Sequence, residues 1–422
     1  MAVAGASSGP SALRPCAVSA LVLRRLSLAS PIARPSLLGP PAFGRAAWGA
    51  HRWNDKAWHH RRRLAAASFA ILSGAAAAIT AAKVPSRGRS SFLVCEAAPQ
   101  DLASQAGGGC GNAEVEKAAA SVVDLVVRDY RRSQAAVASM PLVVFVHGLD
   151  SWSGTWHGAA TALAARGIPS LAVDLRGHGQ SPMGDPADFG PAQLAADVRA
   201  ALLREGGLRQ GGPGRCIVLV GHSMGGKVVM RYAADYPEDL AALVIEDMDC
   251  TCREYDAGYM NPGPAELERK RGFDRAFATW EECHRSLTSF GYDAKRVDGM
   301  RTEAVPRVFP SGSGGAVWSS VNPYAQWLAR RTVLSQDDAY ASLQRIAATR
   351  ACGRADLAVH VLVAGDAGTV CSWDALPGGI RDMESVLPGL AVATFPKSAH
   401  SIHNSDGEAF VRSIAEVVRL SS

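Results

Sequence analysis

No C-x-x-C repeat occurs among the nine cysteines, and the only close pair, Cys250 and Cys252, has no histidine at metal-ligand spacing. This argues against a zinc site and for unpaired thiols in a reducing compartment. Acids are nearly missing from the N-terminal part: residues 1–95 hold 13 Lys/Arg and a single acid, Asp55. The net charge of +5 resides there, because the other 31 Lys/Arg are outnumbered by 38 Asp/Glu. The remainder is mildly acidic and gives no electrostatic ground for a nucleic-acid partner. Charge is also missing from the 19-residue run Leu64–Ala82, which follows His59-His60-Arg61-Arg62-Arg63 and ends at Lys83.

Residues 1–95, rich in Ala, Ser, Arg and Pro, resemble an organellar transit peptide, plastid before mitochondrion. The run 64–82 is long enough to cross ~30 Å of hydrocarbon, although alanine dominates it and Ser68, Ser73, Gly74 and Thr80 interrupt it. The arginines before it and the small residues that close it are similar to a twin-arginine signal addressing the thylakoid lumen. Membrane attachment through 64–82 and removal of that segment are both open. A flexible Ser/Gly-rich linker over 96–112 follows.

From residue 113 onward, short apolar runs alternate with amphipathic stretches. The runs are Leu142–Val146, Ser170–Val173, Cys216–Val220, Leu243–Ile245, Val359–Ala364 and Leu390–Phe395, with Val122–Val127 as an additional first strand. Helical patterns over Thr155–Ala165, Ala192–Arg204 and Met224–Tyr236 are closed by Gly167, Gly206 and Pro237, and Glu408–Leu420 supplies a last helix. This alternation predicts an α/β fold: a mostly parallel sheet with helices on both faces. The pattern breaks between about Cys250 and Arg354. The spacing predicts a helical cap over 250–354, with helical stretches at Pro264–Ser289, Pro323–Arg330 and Asp337–Ala348, between two parts of one core, 113–249 and 355–422. Trp280, Trp318, Tyr324 and Trp327 are candidate pocket walls, or simply the core of the cap.

Residues 216–236 carry the chemistry. A buried strand runs into G-H-S-M-G and then into an apolar-periodic helix, the setting a G-x-S-x-G nucleophile elbow requires. Gly221 and Gly225 leave room for the turn, and Ser223 stands at its apex, where the helix N-terminus favours developing negative charge. A serine hydroxyl needs a base. The loop after the final strand, K-S-A-H-S-I-H, offers His400, nearer the strand, with His403 in reserve. A tetrahedral oxyanion needs donors placed beforehand. The N–H of Met224 is one; the N–H of Leu149, in the loop His147-Gly148-Leu149-Asp150, is the other, and His147 is read as ordering that loop. Three carboxylates end strands and can face the histidine: Asp247, Asp249 and Asp366. Lys227, in the first turn of the helix after Ser223, is read as binding a loop or stabilising the helix.

F-V-H-G-L-D-S-W-S-G-T-W, D-L-R-G-H-G-Q-S-P, G-H-S-M-G-G-K and S-A-H-S-I-H together resemble the α/β-hydrolase superfamily, and within it the small esterases and thioesterases that share G-H-S-M-G-G-K. The resemblance covers about 141–250 well and 355–420 more loosely; the cap is unmatched. It implies the α/β-hydrolase fold and a triad of Ser223, His400 and an acid. In that subgroup the acid stands 24 residues past the serine, at Asp247; elsewhere in the superfamily it sits at the later strand end, at Asp366. The loop Asp174–Ser181 is structural in the superfamily. An aromatic often follows the histidine, where this chain has Ser401. The expected reaction is cleavage of a carboxylic ester or thioester of a small or acyl-chain substrate through an acyl-enzyme, with no cofactor and no metal. A cofactor-free peroxidase-like or carbon–carbon bond hydrolase on the same triad is the enzymatic alternative. A silent hydrolase scaffold binding a lipid or a protein is the alternative of another class. Acyl-chain length and oligomeric state have no readable signature.

Overall fold

The computed structural model describes residues 110–131, 140–208, 217–311, 314–353 and 357–422. The basic segment 1–95, its apolar run 64–82 and residues 96–109 of the linker lie outside the described residues. Among the described residues no helix is long and apolar enough to cross a membrane.

The first part of the chain runs α1 (Cys110–Ala120), β1 (Val127–Asp129), β2 (Leu142–Val146), α2 (His157–Ala165), β3 (Ser170–Val173), α3 (Pro191–Arg204), β4 (Ile217–His222), α4 (Met224–Asp235) and β5 (Leu240–Glu246). The insertion holds α5 (Ala257–Met260), α6 (Pro264–Arg271), β6 (Ala276–Phe277), α7 (Trp280–Ser289), α8 (Ala294–Gly299), β7 (Val308–Pro310), β8 (Val317–Ser319), α9 (Pro323–Ala329) and α10 (Asp338–Ala351). The chain then closes with β9 (Ala358–Ala364), α11 (Ile380–Val386), β10 (Ala391–Phe395), α12 (Ile402–Ser405) and α13 (Gly407–Ser421).

Seven strands form one sheet in the order β1-β3-β2-β4-β5-β9-β10, parallel except for β1, which runs against β3. Every residue of β2, L-V-V-F-V, is buried, which a β-branched run achieves when both faces of its strand are covered. Alternation splits it between two cores. Leu142, Val144 and Val146 join one apolar cluster with α3 and α4, while Val143 and Phe145 join another with α2 and α13. The last helix shows its half of this pattern in sequence: Phe410, Val411, Ile414, Val417 and Val418 lie on one face and are buried.

Of the expected first strand, 122–127, only Val127 pairs in the sheet, and the strand runs on to Asp129. The N–H groups of Val123 and Val126 are taken instead by Asp197 Oδ1 and Ser181 Oγ.

The insertion divides in two. Residues up to 321 carry helices as expected and, beyond them, a small antiparallel sheet ordered β6-β8-β7, with its own core around Cys283, Leu287, Tyr292, Val297 and Val308. The expected helix 264–289 is broken at 276–277 by the strand β6. Helices α9 and α10 join the core of the main sheet instead, through Tyr324, Leu328, Leu343 and Ile346.

Candidate active site

The carboxyl ends of β2, β4, β5 and β9 converge on the elbow. Ser223 adopts φ 52° and ψ −122°, a backbone conformation that a side chain disfavours. Two hydrogen bonds hold it: its N–H donates to the Glu246 carbonyl at 2.9 Å, and its own carbonyl accepts from Gly226 N–H at 2.7 Å. A Cβ on Gly221 would fall 2.4 Å from the Gly225 carbonyl oxygen, so the strand and helix approach only because glycine stands there. Met224 opens α4, where backbone N–H groups lack intrahelical acceptors. The loop after β2 lies against the elbow, since a Cβ on Gly148 would be 3.0 Å from Ser223 Cβ. Leu149 is the next residue.

His147 orders this loop, as read from the sequence. Its Nδ1–H donates to the Gly148 carbonyl at 2.8 Å, and its Nε2 accepts from Leu175 N–H at 3.0 Å, which fixes one neutral tautomer. Asp174 accepts from the N–H groups of Ser153 and Gln180, so the loop 174–181 is structural too. Within it Arg176 forms a fully buried two-pronged pair with Asp197.

His400 Nδ1 lies 2.7 Å from Asp247 Oδ2. The carboxylate also accepts from Ala364 N–H, Thr369 Oγ–H and Val370 N–H, at 2.9, 2.6 and 3.1 Å. Burial pushes its pKa up, but the hydrogen bonds and charge of its partners, His400 first, outweigh burial and hold it below the ordinary 3.8. Asp247, like Ser223, has a positive φ, 47°.

The other acids stand elsewhere. Asp366 is exposed at the end of β9 and makes none of these contacts. Asp249 is buried and committed to Arg253 at 2.7 Å, to Thr251 and to Ser372 N–H. His403 is not a spare base. Its Nδ1 is 2.9 Å from both oxygens of buried Glu246, its Nε2 faces Thr155 Oγ at 3.0 Å, and its ring packs on Trp156. Lys227 is buried. Its ammonium donates to the Thr251 and Leu334 carbonyls, tying α4 to the insertion, and burial lowers its pKa.

Sequence reasoning missed two features. One is the Glu246–His403 pair; its signal was the adjacent Glu246-Asp247, which alternation turns to opposite sides of the strand end. The other is the buried Asp150 carboxylate, which accepts from Tyr292 Oη–H and from an Arg296 N–H. Of the candidate pocket walls, Trp318, Tyr324 and Trp327 line a cavity of about 920 Å³ together with Arg271, Arg275 and Arg331, and Trp280 does not. Neither Ser223 nor His400 lines that cavity. Among the described residues no cluster of His, Cys, Asp and Glu could hold a metal ion.

Three buried imidazoles near the site make folding sensitive to acid. His147, His178 and His222 are held below the ordinary 6.5, chiefly by burial, and His147 and His222 well below it. Each takes up its proton at a higher pH in the unfolded chain than in the native one, so stability falls as the pH drops through about 6.5. Three such groups give a slope of up to about 4 kcal/mol per pH unit. Urea unfolding at about pH 7.5, 6 and 5 should therefore show a steadily falling midpoint; a flat profile would mean these rings gain protons while folded.

The fold and this constellation define an α/β protein with an elbow serine and a histidine–carboxylate pair at one sheet edge. Residues 143–413 match the alpha/beta hydrolase family, and the chain belongs to it. It is 40% identical over 126 residues to the lipase LipV of Mycobacterium tuberculosis, covering 30% of this chain and 42% of that one. To the mouse sn-1-specific diacylglycerol lipase ABHD11 it is 38% identical over 112 residues, 26% of this chain and 34% of the relative. These matches thus span less than half the length of either relative. Among solved structures, a marine microorganism esterase is similar at 16% identity and a TM-score of 0.47, covering 70% of this chain and 99% of that one.

Proposed function

We propose that the protein is a serine hydrolase that cleaves a carboxylic ester or thioester through an acyl-enzyme. The observation that carries this reading is the 2.7 Å contact of His400 Nδ1 with buried, ionised Asp247, with the His400 ring 4.6 Å from that of His222, the residue before a serine held at positive φ. Asp247 keeps the Nδ1–H tautomer, which leaves Nε2 to take the Ser223 proton. Ser223 Oγ then bonds to the acyl carbon, and the carbonyl electron pair moves to oxygen, facing the N–H groups of Met224 and Leu149. Collapse expels the alcohol or thiol, which leaves with the proton from His400. Water, deprotonated by the same imidazole, releases the acid and restores Ser223. The relatives named as lipases support an acyl ester as the substrate class.

Labelling with a fluorophosphonate tests this, because the probe reacts only with an activated serine. Wild type should label, whereas Ser223→Ala and His400→Ala should not. Failure of folded wild type to label, or labelling that survives in Ser223→Ala, would sink the proposal.

A further inference from the structure

Asp150 directly follows Leu149 and has φ 56°, the left-handed region that costs a side-chain-bearing residue about 1 kcal/mol or more. Three residues of the insertion seize it. Tyr292 Oη–H donates to Asp150 Oδ1 at 3.0 Å, and an Arg296 guanidinium N–H donates to Oδ2 at 2.6 Å. Arg307 donates to the Asp150 backbone carbonyl at 2.7 Å. The Asp150 carboxylate is 6% exposed, so these bonds act in a dry setting where charged hydrogen bonds are strong. Two residues on, Trp152 stacks on Phe309 of β7, with ring centroids 5.9 Å apart and planes 13° from parallel.

The three donors stand on one packed piece. Tyr292, Val297 and Val308, which include or adjoin them in sequence, belong to the apolar core of the insertion. On its other side the loop presses on the nucleophile through Gly148. A chain of packed groups therefore runs from the insertion's core through Asp150 to the backbone beside Ser223.

We infer that the insertion preorganises the oxyanion loop: Tyr292, Arg296 and Arg307 are positioning residues that hold Asp150, and through it the Leu149 N–H, where the developing oxyanion needs a donor. This rests on the serine-hydrolase reading above. An insertion serving only to enclose substrate needs no bonds to this particular aspartate. One that positions the loop acts on the transition state, so its loss lowers kcat and leaves KM nearly alone.

The test uses the full chain with a short-chain p-nitrophenyl ester, and a trifluoromethyl ketone as the transition-state mimic. Tyr292→Phe removes one hydroxyl; Arg296→Gln removes the charge at similar length. Each should lower kcat by about 10- to 100-fold, with KM within about twofold and ketone inhibition weakened in proportion to kcat/KM. Arg296→Lys should recover part of the loss. Circular dichroism and Tm identify a variant that has not folded, and Tyr292→Phe, which deletes a single atom, then carries the decision. Folded variants with unchanged kcat, or with a raised KM alone, overturn the inference while the hydrolase reading stands. Wild type that neither turns over the ester nor labels with fluorophosphonate overturns the reading and the inference with it.

Discussion

Asp247→Asn is expected to lower ester turnover by about 10⁴-fold, while Asp366→Asn leaves it within about twofold. The difference follows from what each carboxylate touches. Asp247 Oδ2 receives the His400 Nδ1–H and the Val370 N–H, and Oδ1 receives Ala364 N–H and the Thr369 hydroxyl. An amide supplies only one acceptor oxygen. If that oxygen keeps Ala364 and Thr369, an NH2 group faces His400 and favours the tautomer with Nε2 protonated, which cannot accept the serine proton. Either orientation also sets NH2 against a backbone N–H, that of Val370 in the first and that of Ala364 in the reverse, and costs about 1–3 kcal/mol of stability. Turnover should therefore be measured well below the Tm of the variant, so that lost catalysis is read apart from lost fold. Should Asp366→Asn abolish turnover and Asp247→Asn spare it, the acid assignment is reversed.

That this choice was open in the sequence has a physical cause. Asp247 and Asp366 both follow an apolar strand, and nothing local separates them. The decision lies in a contact across 153 residues, reinforced by Thr369 and Val370 in the loop after β9. The elbow is the opposite case: its strand, its glycines and its helix are contiguous, so their meaning is local. His400 was legible because the topology of the last strand delivers its loop to the site. That His403 turns away was not, because only the buried Glu246, on a distant strand, decides it. The small sheet of the insertion escaped for another reason. Its strands are two or three residues long, too short for alternation to register.

Gly225→Ala and Gly158→Ala should shift stability in opposite directions, although both replace a helical glycine by the best helix former. Propensity alone favours alanine by about 1 kcal/mol at each site. At Gly158, on α2, a Cβ would meet nothing within 4 Å, so the gain should appear, as a Tm raised by about 2 °C. At Gly225 a Cβ would lie 2.5 Å from the carbonyl oxygens of both Val146 and His147. Those atoms are backbone at the end of the fully buried strand β2 and cannot swing aside as a side chain would. Either α4 lifts from the sheet or the loop carrying Gly148 and Leu149 is displaced. The first route costs about 3 kcal/mol or more, a Tm lower by about 5–10 °C. The second moves the proposed oxyanion donor and lowers turnover beyond what the stability loss explains. Calorimetry on the two variants, with ester turnover measured beside it, distinguishes the routes. A Tm raised by both substitutions would show that the elbow tolerates a side chain there, and that Gly225 is not what lets helix and strand meet behind Ser223.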